Sequence, residues 1–256
     1  MPWEAILTVM LGSLRAMGVV MALPTLGARP LPPMIRIALA VMLGGLLTSS
    51  APSYAGPAFE PDSMGALGLA ALHEMLLGLA MGLVMRALLS AAELSGRLIA
   101  AEIGLVAAPG FDVPVPSQEP LPAFIGIFAG MMFFLLQGHE GVLAAFARSF
   151  ELAPPGTGRL GPGATETLVG AVSHLLELAL RMAAPFIALN FVITMGFAVL
   201  GRAVPKMDVF ILSYALRSLL GFILLAGAGA LFARYFAPAF DRLPWTILEL
   251  VGRTGS

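Results

Sequence analysis

The sequence predicts an all-α membrane protein built from long helical hairpins, and three observations predict it. The 256 residues are 59% hydrophobic and only 11% charged, against about 25% charged in soluble domains. Long apolar stretches follow one another along the chain. The connectors between them are rich in proline and glycine, which punctuate helices. The same composition excludes several classes of function. With 14 basic and 15 acidic residues the net charge is −1, and no Lys/Arg cluster offers a nucleic-acid surface. The absence of cysteine removes disulfides, thiol catalysis and cysteine metal sites. Met1-Pro2-Trp3-Glu4 lacks the basic start and cleavage site of a secretory signal, so the first apolar helix is expected to be retained.

Ala5–Leu23 is the first expected helix, ended before Pro24 because proline disfavours helix in the residue before it. A connector, Pro24–Pro33, carries Arg29 and leads into a second helix, Met34–Ser49. Ser50–Pro61 is a second Pro-rich connector, with Asp62-Ser63 as N-cap of the third helix. Ser63–Val106 is a very long helical stretch, expected to bend or divide near Ser95-Gly96. Two short helices, Ala123–Leu136 and Val142–Leu152, are expected on either side of Gly138–Gly141, with the connector Ala153–Gly163 after them. Thr165–Gly201 and Met207–Phe236 form a final pair around the turn Gly201–Lys206, and a short tail helix covers Trp245–Val251. The run from Thr165 to Leu200 would extend about 54 Å at ~1.5 Å per residue, well beyond a bilayer core of about 30 Å. The two short helices could not span that core alone. This mixture suits helices that pack largely against other subunits.

The most unusual segment is Ala107–Pro122, which holds five prolines, Phe111, Asp112 and Glu119 between apolar helices. Each proline lacks an amide donor, so no helix forms here. Unpaired backbone at membrane depth survives only inside protein or against water. The segment is therefore expected to line or block an aqueous space. Loop charges give an orientation under the positive-inside rule. Arg29, Arg36, Arg202 and Lys206 mark one side, and the acidic connectors Ser50–Asp62 and Ala107–Pro122 the other.

Enzyme motifs are lacking. His73-Glu74 is succeeded by Met75-Leu76-Leu77 and not by a second histidine, and neither Gly-x-Ser-x-Gly nor a Walker loop occurs. Three histidines far apart in sequence make no metal site. His139-Glu140, in a Gly-His-Glu-Gly corner, reads better as a helix junction with capping hydrogen bonds than as acid–base chemistry. Two charged trios have helical spacing: Arg86, Glu93 and Arg97, and His174, Glu177 and Arg181. Each trio lies along one helix face. A proton or ion relay is one reading, since buried ionisable groups mark such paths. Salt bridges that neutralise charge inside a large complex are the other, favoured by alternating signs at pairing distance. Glycine spacings such as Gly78-x-x-x-Gly82 allow close helix packing.

Several of these segments resemble one family. Gly96-Arg97-Leu98-Ile99-Ala100-Ala101-Glu102-Ile103-Gly104 is similar to a Gly-Glu-x-Ile segment of the FliR family, membrane components of the flagellar type III export gate. Phe133–His139 resembles its Phe-Leu-x-x-Asn-Gly-His corner, and Arg148-Ser149-Phe150 with Pro154-Pro155-Gly156 its Ser-Phe and Pro-x-Gly pattern. Ala184-Pro185-Phe186 through Lys206-Met207-Asp208-Val209-Phe210 is similar to its Ala-Pro helix and the Arg-x-x-Pro-Gln-Met-Asn-Val-Phe after it. Departures are Arg97 for the usual Glu, Gln137 for Asn, Lys206 and Asp208 for Gln and Asn, and Tyr214–Arg217 for a Gly-x-Pro-Leu-Lys segment. Gly138-His139 and Ser149-Phe150 favour the flagellar branch over the injectisome branch.

The resemblance implies a non-enzymatic subunit without cofactor or metal, in the bacterial inner membrane at the flagellar basal body. It implies one copy of the chain with FliP-like and FliQ-like subunits, beside FlhB-like and FlhA-like proteins, passing unfolded exported proteins. Residues 1–164 would be the FliP-like part and 165–256 the FliQ-like hairpin and tail. Residues 107–120 would plug the lumen through Pro109, Gly110, Phe111, Asp112, Val113 and Pro114, with Phe111 as the stopper. Arg202, Pro205, Lys206 and Asp208 at the hairpin turn would contact partners. An injectisome subunit with the same mechanism is the first alternative. An ion-coupled secondary transporter is the second, though no inverted repeat is evident.

Overall fold

A computed structural model describes residues 2–22, 32–50, 63–105, 120–204 and 208–251. These form helices α1 (Pro2–Ala22), α2 (Pro33–Ser50), α3 (Met64–Glu102), α4 (Pro120–Leu135), α5 (Gly138–Leu152), α6 (Ala164–Ala203), α7 (Val209–Gly227) and α8 (Gly229–Glu249). The all-α expectation holds: among the described residues the only β pairing is an isolated bridge between Leu160 and Val251. By length and composition α1, α3 and α6 can each cross a membrane, and the bent pairs α4–α5 and α7–α8 raise the number to as many as five.

Helix ends arise from local chemistry. Glu4 in the first turn of α1 complements the positive end of the helix dipole. Ser63 caps α3, its Oγ accepting from the Ala66 amide at 3.2 Å. At the other end, Leu105 N–H donates to Ala100 O (2.8 Å) and Gly104 N–H to Ala101 O (3.3 Å). This is a Schellman ending, and Gly104 takes the left-handed φ of 78° that it needs. Asp208 caps α7 by accepting from Ile211 N–H at 3.3 Å.

Some expected boundaries shift. α3 is one helix of 39 residues and is not divided at Ser95-Gly96. There the Ser95 hydroxyl bonds back to Ala92 O at 2.7 Å, and Gly96 serves packing, since a Cβ on it would meet Pro122 Cα at 2.6 Å. α4 starts at Pro120, three residues before the expected Ala123, because prolines in a first turn forgo donors that have no intrahelical partner. α5 starts at Gly138, leaving only Leu136-Gln137 as the corner, with Gln137 at φ 58°. The stretch expected as one helix from Met207 to Phe236 is two, α7 and α8, parted at Ala228, and the separate tail helix merges into α8. α6 carries Pro185 within its 40 residues.

The chain divides into two compact units, each taking residues from both sides of position 164. Unit 1 comprises Met1–Leu88, Phe133–Ser173 and Ala239–Ser256; unit 2 comprises Leu89–Met132 and His174–Pro238. In unit 1, glycines bring backbones into contact. A Cβ on Gly44 would lie 2.5 Å from Ser13 Cα, one on Gly18 2.5 Å from Leu79 N, and one on Gly78 would strike the Arg15 carbonyl. So α1 lies directly on both α2 and α3. Around this contact Leu11, Leu77, Met81, Met85, Phe146, Phe150, Phe240 and Ile247 are buried. Unit 2 has its own core of Ile99, Ile103, Ile125, Met182, Phe186, Phe232 and Phe236.

Candidate functional site

Unit 1 is built round an ion pair that sequence reasoning missed. Arg15 on α1 and Glu74 on α3 have fully buried side chains, with Nε 2.5 Å from Oε2 and Nη2 2.9 Å from Oε1. The remaining guanidinium protons are also taken up. Nη1 donates to Ser149 O (3.0 Å) and to Ser149 Oγ (3.2 Å), and Nη2 to Ala153 O (2.9 Å). The cation thus sits on the last carbonyls of α5, where the helix dipole is negative, and over the Phe150 ring at 4.3 Å. Glu74 Oε1 further accepts from Gly156 N–H (2.8 Å) and Gly158 N–H (3.2 Å). One charge pair therefore joins α1, α3, the end of α5 and the connector beyond it. A buried pair is tolerable only when every proton and lone pair finds such partners.

Two weak signals point to it. Arg15 is the only base in α1, and Glu74 stands out in sequence only as half of a failed His-Glu motif. Opposite charges set in apolar stretches of separate helices are a reason to expect pairing. Their distance of 59 residues hides it from helical-spacing arguments.

In unit 2 a second polar set gathers at the end of α3. Glu102 Oε2 accepts from Asn190 Nδ2 of α6 at 2.5 Å. Thr194, one turn on, accepts from Arg217 Nη2 of α7 at 3.1 Å. Ser218 Oγ donates to Ile103 O at 2.9 Å, and the Tyr214 hydroxyl donates to Gly104 O. Residues of α7 thus bind the last backbone of α3 and Asn190 of α6 its last side chain, and the next residues, 106–119, lie outside the described ones.

The residues singled out from sequence fall in several places. Pro109, Gly110, Phe111, Asp112, Val113 and Pro114 lie outside the described residues, as do Pro205 and Lys206. Arg202 stands in the last turn of α6, where a base complements the dipole. Arg86, Glu93 and Arg97 are exposed on α3, and the Glu93 side chain lies against Gly126. On α6, Arg181 Nη2 is 2.5 Å from Glu177 Oε1, and His174 Nδ1 is 3.5 Å from Glu177 Oε2. All three are exposed, so the contacts form within one helix and contribute little to stability. At the corner before α5, Gln137 makes no side-chain cap. His139 is held by the Phe134 ring at 5.2 Å, not by the capping bond expected of it, and its Nδ1 is buried with no partner among the described residues. Among those residues no group of three His, Asp or Glu could hold a metal ion.

The longest helix also leaves much apolar surface uncovered by the chain. Only 17% of the most apolar stretch of α6 is buried within the chain; Phe191, Val192, Met195 and Val199 all face outward.

Residues 6–243 match the family described as bacterial export proteins, family 1. The chain is 27% identical over 216 residues to the flagellar biosynthetic protein FliR of Caulobacter vibrioides, covering 83% of this chain and 84% of that protein. It is 27% identical over 242 residues to the protein of the same name from Escherichia coli K12, covering 93% and 91%. With the Aquifex aeolicus protein of that name it shares 31% identity over 159 residues, 60% of each.

Proposed function

Because the chain belongs to the FliR family of bacterial export proteins, we propose that it is a non-enzymatic subunit of the flagellar type III export gate in the bacterial inner membrane. It works within a complex of export proteins. In this reading one copy joins FliP-like and FliQ-like subunits beside FlhB-like and FlhA-like proteins, and unfolded flagellar proteins pass along the wall they form. Residues 1–164 supply the FliP-like part and 165–256 the FliQ-like hairpin.

The observation that carries the reading is the exterior of α6. Forty residues make about 60 Å of helix, twice a bilayer core, and most of the surface is left uncovered by this chain. Lipid can cover half of such a length; the rest needs other protein. A transporter complete in one chain would bury far more of its longest helix. The relatives are flagellar, so the injectisome alternative is set aside.

Residues 107–120 act as the plug, with Phe111 as apolar stopper between Pro109, Gly110, Asp112, Val113 and Pro114. The composition supports this, because backbone so rich in proline cannot face lipid. Arg202, Pro205, Lys206 and Asp208 contact neighbouring subunits, and the charge trios of α3 and α6 neutralise one another rather than relay protons. Co-expression with its genomic neighbours and native mass measurement test the assembly. A hetero-oligomer with one copy of this chain is expected; a monomer or homodimer that moves a small solute would overturn the proposal. Deleting Gly110–Ser117 should make the assembled gate leak ions, and unchanged conductance would remove the plug assignment.

A further inference from the structure

We propose that one face of α7, formed by Tyr214, Ser218 and Gly221, is a clamp on the end of α3 that fixes where residues 106–119 leave the helix. The positioning residues are Tyr214 and Ser218, and the consequence for export rests on the plug reading above.

Helix α3 already ends in a Schellman motif, which satisfies the carbonyls of Ala100 and Ala101. Beyond them, the carbonyls of Ile103 and Gly104 lie past the last turn of the helix and are normally left to water. Here they are taken by the Ser218 and Tyr214 hydroxyls, four residues apart and so on one face of α7. Steric fit adds to the hydrogen bonds. The Tyr214 ring lies against the bare Cα of Gly104, where a Cβ would come within 2.8 Å of Cε2. Gly221, one turn beyond Ser218, leaves room for the buried Ile103, and a Cβ there would overlap that side chain. Asn190 of α6 also holds the Glu102 side chain.

A helix end that merely opens into a loop does not need this. Four consecutive residues, Glu102 to Leu105, are each held, by α6, by α7 or by their own helix. The re-entry point is fixed as well, since Pro122 packs on Gly96 of the same helix. Residues 106–119 therefore start and finish at points set by α3 and the α6–α7 hairpin. A shift of α7 along α3 would break both hydroxyl bonds together. The clamp makes the hairpin a lever on that segment.

The experiment compares the complete co-expressed assembly carrying the native chain with one carrying Tyr214→Phe and Ser218→Ala. Both changes delete an oxygen and leave the packing volume nearly intact. Amide hydrogen exchange at Gly104 and Leu105 should rise roughly thirtyfold with two hydrogen bonds lost, and the gate should leak ions in planar bilayers. Ser218→Thr with native Tyr214 keeps both hydroxyls and should restore slow exchange. Unchanged exchange in the double variant overturns the clamp. Faster exchange without a leak, when deletion of Gly110–Ser117 does leak, overturns its control of the segment. If that deletion itself does not leak, the plug reading fails, and the exchange rates still decide the clamp.

Discussion

Replacing Glu74 by Leu should be among the most damaging single changes in unit 1. It removes a carboxylate that accepts four hydrogen bonds, two from Arg15 and two from the Gly156 and Gly158 amides. The guanidinium would stay fully buried with no counter-charge. Breaking a buried pair from one side costs about 3–5 kcal/mol, and each orphaned amide adds about 1–3 kcal/mol. Against a total stability of about 5–15 kcal/mol, the variant should accumulate poorly. Arg15→Met leaves the carboxylate its two glycine amides and should cost about 3–5 kcal/mol, lowering the unfolding midpoint by roughly 10 °C in a chain of this size. Arg15→Met with Glu74→Gln is the informative double. The amide oxygen still accepts from the two glycines while no charge remains, so the double should be at least ~1 kcal/mol more stable than the sum of its singles. Thermal unfolding of the purified assembly in detergent, beside single-variant controls, measures this. Additive losses, or midpoint shifts below about 2 °C in the single variants, would refute the account of Arg15–Glu74 as the centre of unit 1.

The same geometry sets other outcomes. Gly78→Ala should prevent close approach of α1 and α3, because its Cβ would strike the Arg15 carbonyl and backbone cannot yield as a side chain can; loss of the folded chain on size-exclusion chromatography checks it. Glu177→Gln and Arg181→Gln should each change stability by less than ~1 kcal/mol, since the pair is exposed and within one helix, and thermal unfolding of the assembly would show it. Asp208→Ala removes the cap of α7 and should cost about 1 kcal/mol, seen as a lowered unfolding midpoint.

Much of the helix order is legible in the sequence because it is set locally. Apolar runs and Pro/Gly connectors mark α1, α2, α5 and α6 to within a few residues. The errors arise where one residue type serves two purposes. Ser95-Gly96 looks like a break, yet serine bonds within its own helix and glycine receives Pro122. Pro120 and Pro122 look like loop, yet a first turn accepts them. Gly227-Ala228-Gly229 looks tolerable inside a helix and instead parts α7 from α8. The polar sites are less legible, because they depend on contacts distant in sequence. Nothing local to Arg15 names Glu74, and nothing local to Ser218 names Ile103. Helical spacing draws attention to Glu177 and Arg181, which face outward, and away from Arg15, which is buried.

The buried pair also constrains how the chain is made. Arg15 emerges from the ribosome in the first apolar helix, and a lone arginine at the centre of a bilayer helix costs about 2.5–3.5 kcal/mol on insertion scales. Glu74 emerges later, and the glycine amides that complete its coordination only at Gly156 and Gly158. At about 5–20 residues per second, the interval from Arg15 to Gly158 is roughly 7–30 s. Until Glu74 emerges, 59 residues after Arg15 and roughly 3–12 s at that rate, the first helix carries an uncompensated cation, and until Gly158 the pair lacks its glycine amides, so α1 gains from waiting at the insertion machinery, or from shelter by a neighbouring chain, until its partners arrive. Biogenesis of this protein is thus timed by its own sequence: the first helix is not fully accommodated until more than half the chain has been synthesised.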